Sequence, residues 1–237
     1  MRSARRRSLW GALPAAAATA LLCSCGAATP TAAVLLRGAE RYMASSSYQL
    51  VGGDRAGQAA VSFTLRETAA GGFSGQVQFS VPPSPVLRTR VVALGTKVWV
   101  LSAAALAQLG ISSLPGHLNP ATTWVLQPAQ VGAHYRESVA PFVGRGLTST
   151  LEGLLRGRPT VRAAALGGVR VWVLREQGRP GTELTLYLQR RPLRVLRIEV
   201  SGPSGFQLQY SHFGQIPEVT PPPPSEVYVP PTPAPGT

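Results

Sequence analysis

Apolar side chains recur along this chain at two spacings, and the switch between them marks its organisation. Between Thr29 and Ser47, Ala32, Val34, Leu35, Leu36, Ala39, Tyr42 and Met43 follow a three-to-four spacing, with Arg37, Glu40 and Arg41 between them. That pattern predicts an amphipathic helix, weakened modestly by Gly38. The period then falls to two. Val61, Phe63 and Leu65 alternate with Ser62, Thr64 and Arg66, and after Ala69-Ala70-Gly71-Gly72 come Phe73, Val77, Phe79 and Val81, interleaved with Ser74, Gln76, Gln78 and Ser80. Two alternating runs joined by a short Gly-containing loop predict an antiparallel hairpin with one apolar face. Pro82-Pro83-Ser84-Pro85 ends it, and a further pair, Val86 to Leu94 and Thr96 to Ser102, turns at Gly95.

Alternation lapses between Ala103 and Gly157. Ala103 to Leu109 reads as a short helix, Thr122 to Gln127 as an extended segment, and Val139 to Val143 and Leu147 to Arg156 as helical pieces. The last puts Leu147, Leu151, Leu154 and Leu155 on one stripe suited to packing on a sheet. From Pro159 strands return: Val161 to Leu166, Val169 to Glu176, Thr182 to Gln189, Leu193 to Ser201 and Phe206 to Phe213. The breaks between them have room only for hairpins, so an antiparallel meander follows. After Ile216 prolines become dense, predicting an extended and largely disordered end. Gly95 to Leu101 and Gly168 to Leu174 share the pattern Gly, any residue, cation, Val-Trp-Val-Leu. Convergence on common strand residues accounts for this at least as well as duplication. Both segments are apolar on both faces, so something must cover each side.

The N-terminus changes the picture of where the domain resides. Arg2, Arg5, Arg6 and Arg7 precede an Ala-rich apolar run from Leu9 to Leu22, the charged and hydrophobic parts of an export signal. Leu22-Cys23-Ser24-Cys25-Gly26 then fits a lipoprotein cleavage site before Cys25, with Leu three residues upstream and a small residue just before the bond. Cys23 fits less well, because Leu22 would occupy the small-residue position. The alternatives are an ordinary signal cut elsewhere or an uncleaved anchor, for which the run falls short of the roughly 20 residues that span a bilayer. Removing the four leader arginines from a chain of formal net charge +13 leaves +9, with Cys25 the sole remaining cysteine and no disulfide or cysteine metal site to build. In an exported, surface-anchored protein such charge meets anionic headgroups and wall polymers rather than nucleic acid.

Candidate chemistry is sparse. The chain has one aspartate, Asp54, and three scattered histidines, His117, His134 and His212. It carries no Gly-x-Ser-x-Gly elbow, no His-Glu-x-x-His and no phosphate-binding Gly-rich loop. No catalytic residue, metal site or cofactor is therefore expected. Arg66, Arg88, Arg90, Arg170, Arg194 and Arg197 fall within strands, mostly on polar faces.

The order of a lipoprotein cleavage site, an amphipathic helix, long antiparallel strands, a helical interlude and more strands ending in Tyr210-Ser211-His212-Phe213-Gly214 resembles the LppX/LprG branch of the LolA-like lipid-carrier lipoproteins. Lys97 to Val100 and Pro192 to Val195 are similar to short segments of that family. The resemblance covers about Thr29 to Val219, and the long Pro-rich end and many arginines depart from it. It implies an α+β fold that is mainly β, a strongly curved antiparallel sheet or half-open barrel with helices capping its concave face. The chain would divide into a signal peptide at 1–24, a tether at 25–30, a lipid-binding domain at 31–219 and a Pro-rich tail at 220–237. Implied with the fold is a membrane-anchored, non-enzymatic protein on the outer face of the cell membrane, lipidated (palmitate included) at Cys25. It would bind a lipid or glycolipid in an apolar cavity and pass it on within the envelope, with a membrane transporter or envelope protein as a further partner. A sensor or interaction module on the same fold is the alternative. By apolar register within strands, the cavity candidates are Phe63, Leu65, Phe79, Trp99, Trp172, Leu186, Leu208 and Tyr210. An empty dry cavity on the order of 1,000 Å³ would cost about 24 kcal/mol, more than the roughly 5–15 kcal/mol stability of a domain. Such a cavity must be filled, wetted or collapsed by its lid.

Overall fold

A computed structural model describes residues 29–56, 59–84, 86–102, 106, 111, 114–155, 157–178, 181–202 and 205–231. Cys25, the leader, most of Ala103 to Leu109 and the last six residues lie outside them.

The protein is built on one open sheet of twelve strands with helices on one face. Helix α1 (Ala32–Ala44) leads into β1 (Tyr48–Ala56), β2 (Ala59–Glu67), β3 (Phe73–Ser80), β4 (Leu87–Leu94), β5 (Lys97–Leu101) and β6 (Trp124–Leu126). Helix α2 (Ala129–Val139), a single 3-10 turn at Ala140–Phe142 and helix α3 (Gly144–Leu154) follow. A second meander then comprises β7 (Thr160–Leu166), β8 (Val169–Gln177), β9 (Glu183–Arg190), β10 (Leu193–Ser201) and β11 (Phe206–Ser211), and β12 (Val227–Tyr228) closes the order. The sheet runs β12-β6-β5-β4-β3-β2-β1-β11-β10-β9-β8-β7. All its pairings are antiparallel except β12 with β6.

The two meanders meet where β1 pairs with β11, in a strand the hydrophobic pattern does not announce. Tyr48 and Leu50 alternate correctly, but Gly52-Gly53-Asp54 reads as a break. Gly52 is a strand residue because a Cβ there would lie 2.6 Å from both Phe63 Cζ and Leu208 Cδ2, whose side chains fill the space. The tight turns follow their glycines: Gly167 and Gly168, at φ 55° and 82°, make the two-residue connection between β7 and β8.

Helix α1 starts at Thr31, whose Oγ1 accepts from Val34 N at 3.4 Å. It buries Leu35, Leu36, Ala39 and Met43. Gly38 does more than weaken this helix. A Cβ there would lie 2.4 Å from Leu193 Cδ2, so its absence lets α1 seat closely on β10. Helix α2, absent from the periodicity, holds Gly132 against Val98, with 3.4 Å between a would-be Cβ and Val98 Cγ2. Helix α3 presents Leu147 and Leu151 to the same core.

After β11 the chain leaves the sheet through His212 and Gly214, both at positive φ. Gly214 N donates to Ser47 O at 2.8 Å and Ile216 N to Ser47 Oγ at 3.2 Å. The Pro-rich segment beyond is extended, as its prolines require, but it is seated rather than loose: it crosses the helix-free face of β1 to β5 and its Val227 and Tyr228 pair with Trp124 and Val125.

Candidate functional site

Register assigns every strand residue to one of two faces. The row Tyr210, Leu50, Leu65, Gly75, Val91, Val100 runs across six strands on the helix-covered face, and the row Leu208, Gly52, Phe63, Val77 lies beside it. Ile198, Leu186 and Leu174 extend the second row through β10, β9 and β8, with Leu188 and Trp172 one step along. Seven of the eight candidates, Phe63, Leu65, Phe79, Trp172, Leu186, Leu208 and Tyr210, thus share one apolar face. Trp99 does not. It pairs with Val92 on the opposite face and packs with Trp124, Val219 and Val227. The strand alternation around Trp99 is apolar on both sides, and the seated tail supplies the second cover.

The helices sit directly on this face, and Leu50, Leu65, Leu186 and Leu208 are buried beneath them. Of the three outcomes open to a large apolar cavity, collapse under the lid is the one this structure takes in the middle of the sheet. Towards the far ends of the strands the cover stops. Phe79 and Leu87 are 42% and 41% exposed, and a separate open cavity of about 520 Å³ is lined mainly from the helix-free face, by Ser62, Glu199, Ser201 and Gln207, with Val61, Val200 and Phe206 at its border.

Two tyrosines pin the lid to the sheet. Tyr48 Oη donates to Glu67 Oε2 and accepts from Gly144 N at 2.7 Å, and Tyr210 Oη donates to Phe142 O at 3.0 Å. Phe142 also lies against Phe63, ring centroids 6.3 Å apart. Burial pushes the Glu67 carboxyl above the usual carboxylate range, against the pull of the hydrogen bonds from Tyr48 and Gly144. Burial first, and the charge of Glu67 second, push both tyrosine hydroxyls far up, so they stay protonated donors. Tyr210 therefore ties the helices to the sheet through its hydroxyl as well as packing in the core. Sequence reasoning missed Tyr48, Glu67 and Gly144, whose only signal is an acidic residue at an inward strand position.

The helix-free face is polar and is divided in two by its bonding. Over β8 to β11 its side chains pair with one another: Arg197 contacts Glu199 and Gln207, Tyr187 Oη donates to Glu199, Arg175 faces Glu183, and Arg194 donates to Gln189. Over β2 to β4, Ser62, Thr64, Arg66, Gln76 and Gln78 form no side-chain hydrogen bond among the described residues, and they line a groove of about 950 Å³ roofed by the segment from Ile216 to Glu226. Arg90 projects into the groove with its guanidinium 5.2 Å from the centroid of the Trp124 ring.

His117, His134 and His212 are all exposed. His212 shares a 3.0 Å hydrogen bond with neighbouring Ser211. Among the described residues no three His, Cys, Asp or Glu side chains gather as a metal site would require.

No protein-family model matches the chain, and no curated protein sequence matches it. Among solved structures, the chain is similar to an uncharacterized conserved protein from Thermus thermophilus, at 14% identity and a TM-score of 0.43, over 84% of this chain and 98% of that one. It is also similar to the complex of MucA and MucB from Pseudomonas aeruginosa, at 13% identity and a TM-score of 0.37, covering 76% of this chain and 55% of the other. A LolA superfamily protein from Nitrosomonas europaea matches at 11% identity and a TM-score of 0.27, over 80% and 95% of the two chains. These are likenesses in the arrangement of strands and helices and extend no further.

Proposed function

We propose that this protein is an exported lipoprotein, tethered to the outer face of the cell membrane through lipidated Cys25, that binds a lipid or glycolipid noncovalently and hands it over within the envelope. The LppX/LprG resemblance suggested the reading. The observation that carries it is an apolar sheet face that runs out from under its helices to Phe79 and Leu87, which are left exposed. An acyl chain entering there meets apolar surface continuous with the core.

Further entry displaces helices, and the energies allow it. Uncovering Leu35, Leu36, Met43, Leu147 and Leu151 to water costs about 1.5–3 kcal/mol each, or about 8–15 kcal/mol together, while taking a 16-carbon chain out of water at about 0.8 kcal/mol per methylene returns about 12 kcal/mol. For a chain drawn from the bilayer neither cost nor return applies in full, because the chain stays out of water and re-covers the side chains it uncovers. Closed and loaded forms balanced this closely suit loading and release. Affinity comes from burial alone, and no bond is made or broken. Anchoring by more than one acyl chain, which durable membrane attachment needs, confines the domain to lipids at its own bilayer unless a partner accepts the cargo.

Native mass spectrometry of the full chain purified from its own membrane, with uptake of a fluorescent phospholipid, tests this. The expected result is a co-purifying lipid mass and uptake weakened about tenfold in Phe79→Glu, a substitution at an exposed position. Absence of both lipid and uptake refutes the carrier; a specific cross-linked protein partner without lipid would favour the interaction module instead.

A further inference from the structure

The groove on the helix-free face has a wall that cannot close it. Between its anchors at Ser47 and at Trp124–Val125, the roofing segment contains Pro217 and Pro221 to Pro224, which have no N–H to give to the sheet. Its described backbone bonding between these anchors is local, from Glu226 N to Pro223 O at 2.9 Å. A stiff polyproline stretch anchored at both ends bridges the strands instead of pairing with them, and the space beneath, about 950 Å³, is at the upper end of the range for small-molecule sites.

The floor is a grid. Thr64, Gln76 and Arg90 stand side by side on β2, β3 and β4, with Ser62 and Gln78 in the next row. Rows of this kind repeat about 4.8 Å across strands and about 6.8 Å along them. The two halves of this face differ: over β8 to β11 most polar side chains bond to one another, whereas Ser62, Thr64, Arg66, Gln76 and Gln78 under the strap make no side-chain hydrogen bond among the described residues.

We propose that this groove binds a hydroxyl-rich oligosaccharide segment. Three features select that class. The floor offers two donor-only cations, Arg66 and Arg90, beside amides and hydroxyls that both give and accept, and the strap opposes them with the acceptor-only Glu218 and Glu226. Sugar hydroxyls satisfy all of these, whereas a polyanion would find its two arginines offset by two carboxylates. Strands β1 to β5 are each paired on both sides, so no free edge exists for an extended peptide to join as a strand. The proline rings of the strap supply flat apolar surface for the C–H faces of a pyranose. The site is on the opposite face from the proposed acyl route and does not depend on it.

The test is a glycan array carrying neutral, N-acetylated and uronic-acid oligosaccharides, read with the full chain, followed by calorimetry on a retained trisaccharide. Retention of at least one class is expected, about tenfold weaker in Gln76→Ala, as for loss of one or two hydrogen bonds, and abolished in Gln76→Trp, which fills the groove. Fluorescent-lipid uptake should be unchanged in both variants, separating this site from the carrier reading. No retention on the array, retention that Gln76→Trp leaves intact, or retention that tracks anionic charge alone overturns the proposal.

Discussion

Replacing Tyr48 by Phe removes one oxygen from the joint between sheet and lid. That oxygen donates to Glu67 Oε2 and accepts from Gly144 N at 2.7 Å, and Tyr48 is fully buried. Phe fills the same volume, so the loss is confined to the two bonds this oxygen makes, to Glu67 Oε2 and from Gly144 N, at about 1–3 kcal/mol each, or about 2–6 kcal/mol together. A midpoint of about 4 kcal/mol lowers Tm by about 8–16 °C in a domain of this size. The loss depends on pH. Because burial raises the folded-state pKa of Glu67, its contribution to stability is full below the unfolded carboxylate value, about 4.3, and is lost as pH rises through the raised folded value. The Tyr48 hydrogen bond lowers that folded value. Removing this bond in Tyr48→Phe therefore raises it further, and the loss of stability with pH becomes larger and extends to higher pH. Urea denaturation of the wild type, Tyr48→Phe, Glu67→Gln and the double variant between pH 4 and 8 gives the coupling directly. Relative to Glu67→Gln, both Glu67-containing proteins should lose stability as pH rises, Tyr48→Phe more so. A Tyr48→Phe variant within about 0.5 kcal/mol of wild type, the ordinary range for surface changes, would refute the latch.

Two further substitutions probe the architecture. Ending the chain after Gly214 uncovers Val92, Trp99 and Trp124 and removes Val219 and Val227 from their cluster; at about 1.5–3 kcal/mol per valine the loss should be about 3–6 kcal/mol, read by urea denaturation and by a red shift of tryptophan emission. Gly75→Val places a Cβ 2.3 Å from Thr64 O and 2.6 Å from Leu65 Cδ2. The first clash is with backbone inside the β2–β3 ladder, so a loss of about 4 kcal/mol or more, seen as collapsed soluble yield or lost near-ultraviolet dichroism, is expected.

Where alternation is regular, the chain declares its strands. The β2–β3 hairpin and the meander from β7 to β11 follow from side-chain period and glycine breaks alone, because each strand buries at least one face. The failures share a cause. At Gly52 and Gly132 the space a side chain would fill belongs to residues distant in sequence, Phe63 and Leu208, and Val98 respectively. A glycine that makes room for a neighbour looks, in one dimension, like a break. The latch is hidden for a related reason: Tyr48, Glu67 and Gly144 are joined across 96 residues, and no local spacing relates them. The strap was legible as extended and proline-dense. Its seat was not, because that depends on the apolar outer sides of Val92, Trp99 and Trp124.

The paired segments around Trp99 and Trp172 show how far a shared pattern can mislead. In β5 the two valines, Val98 and Val100, face the helices and Trp99 faces the strap. In β8 the same letters are inverted: Trp172 and Leu174 belong to the helix-covered core, while Val171 and Val173 point the other way. Since side-chain direction has a period of two, a single-residue offset exchanges the faces of a whole strand. A duplicated unit that kept its packing would have kept its tryptophan on the same side. The inversion favours convergence, and it explains why both segments had to be apolar throughout: each is buried on both faces, β5 between α2 and the strap, so neither face was free to become polar.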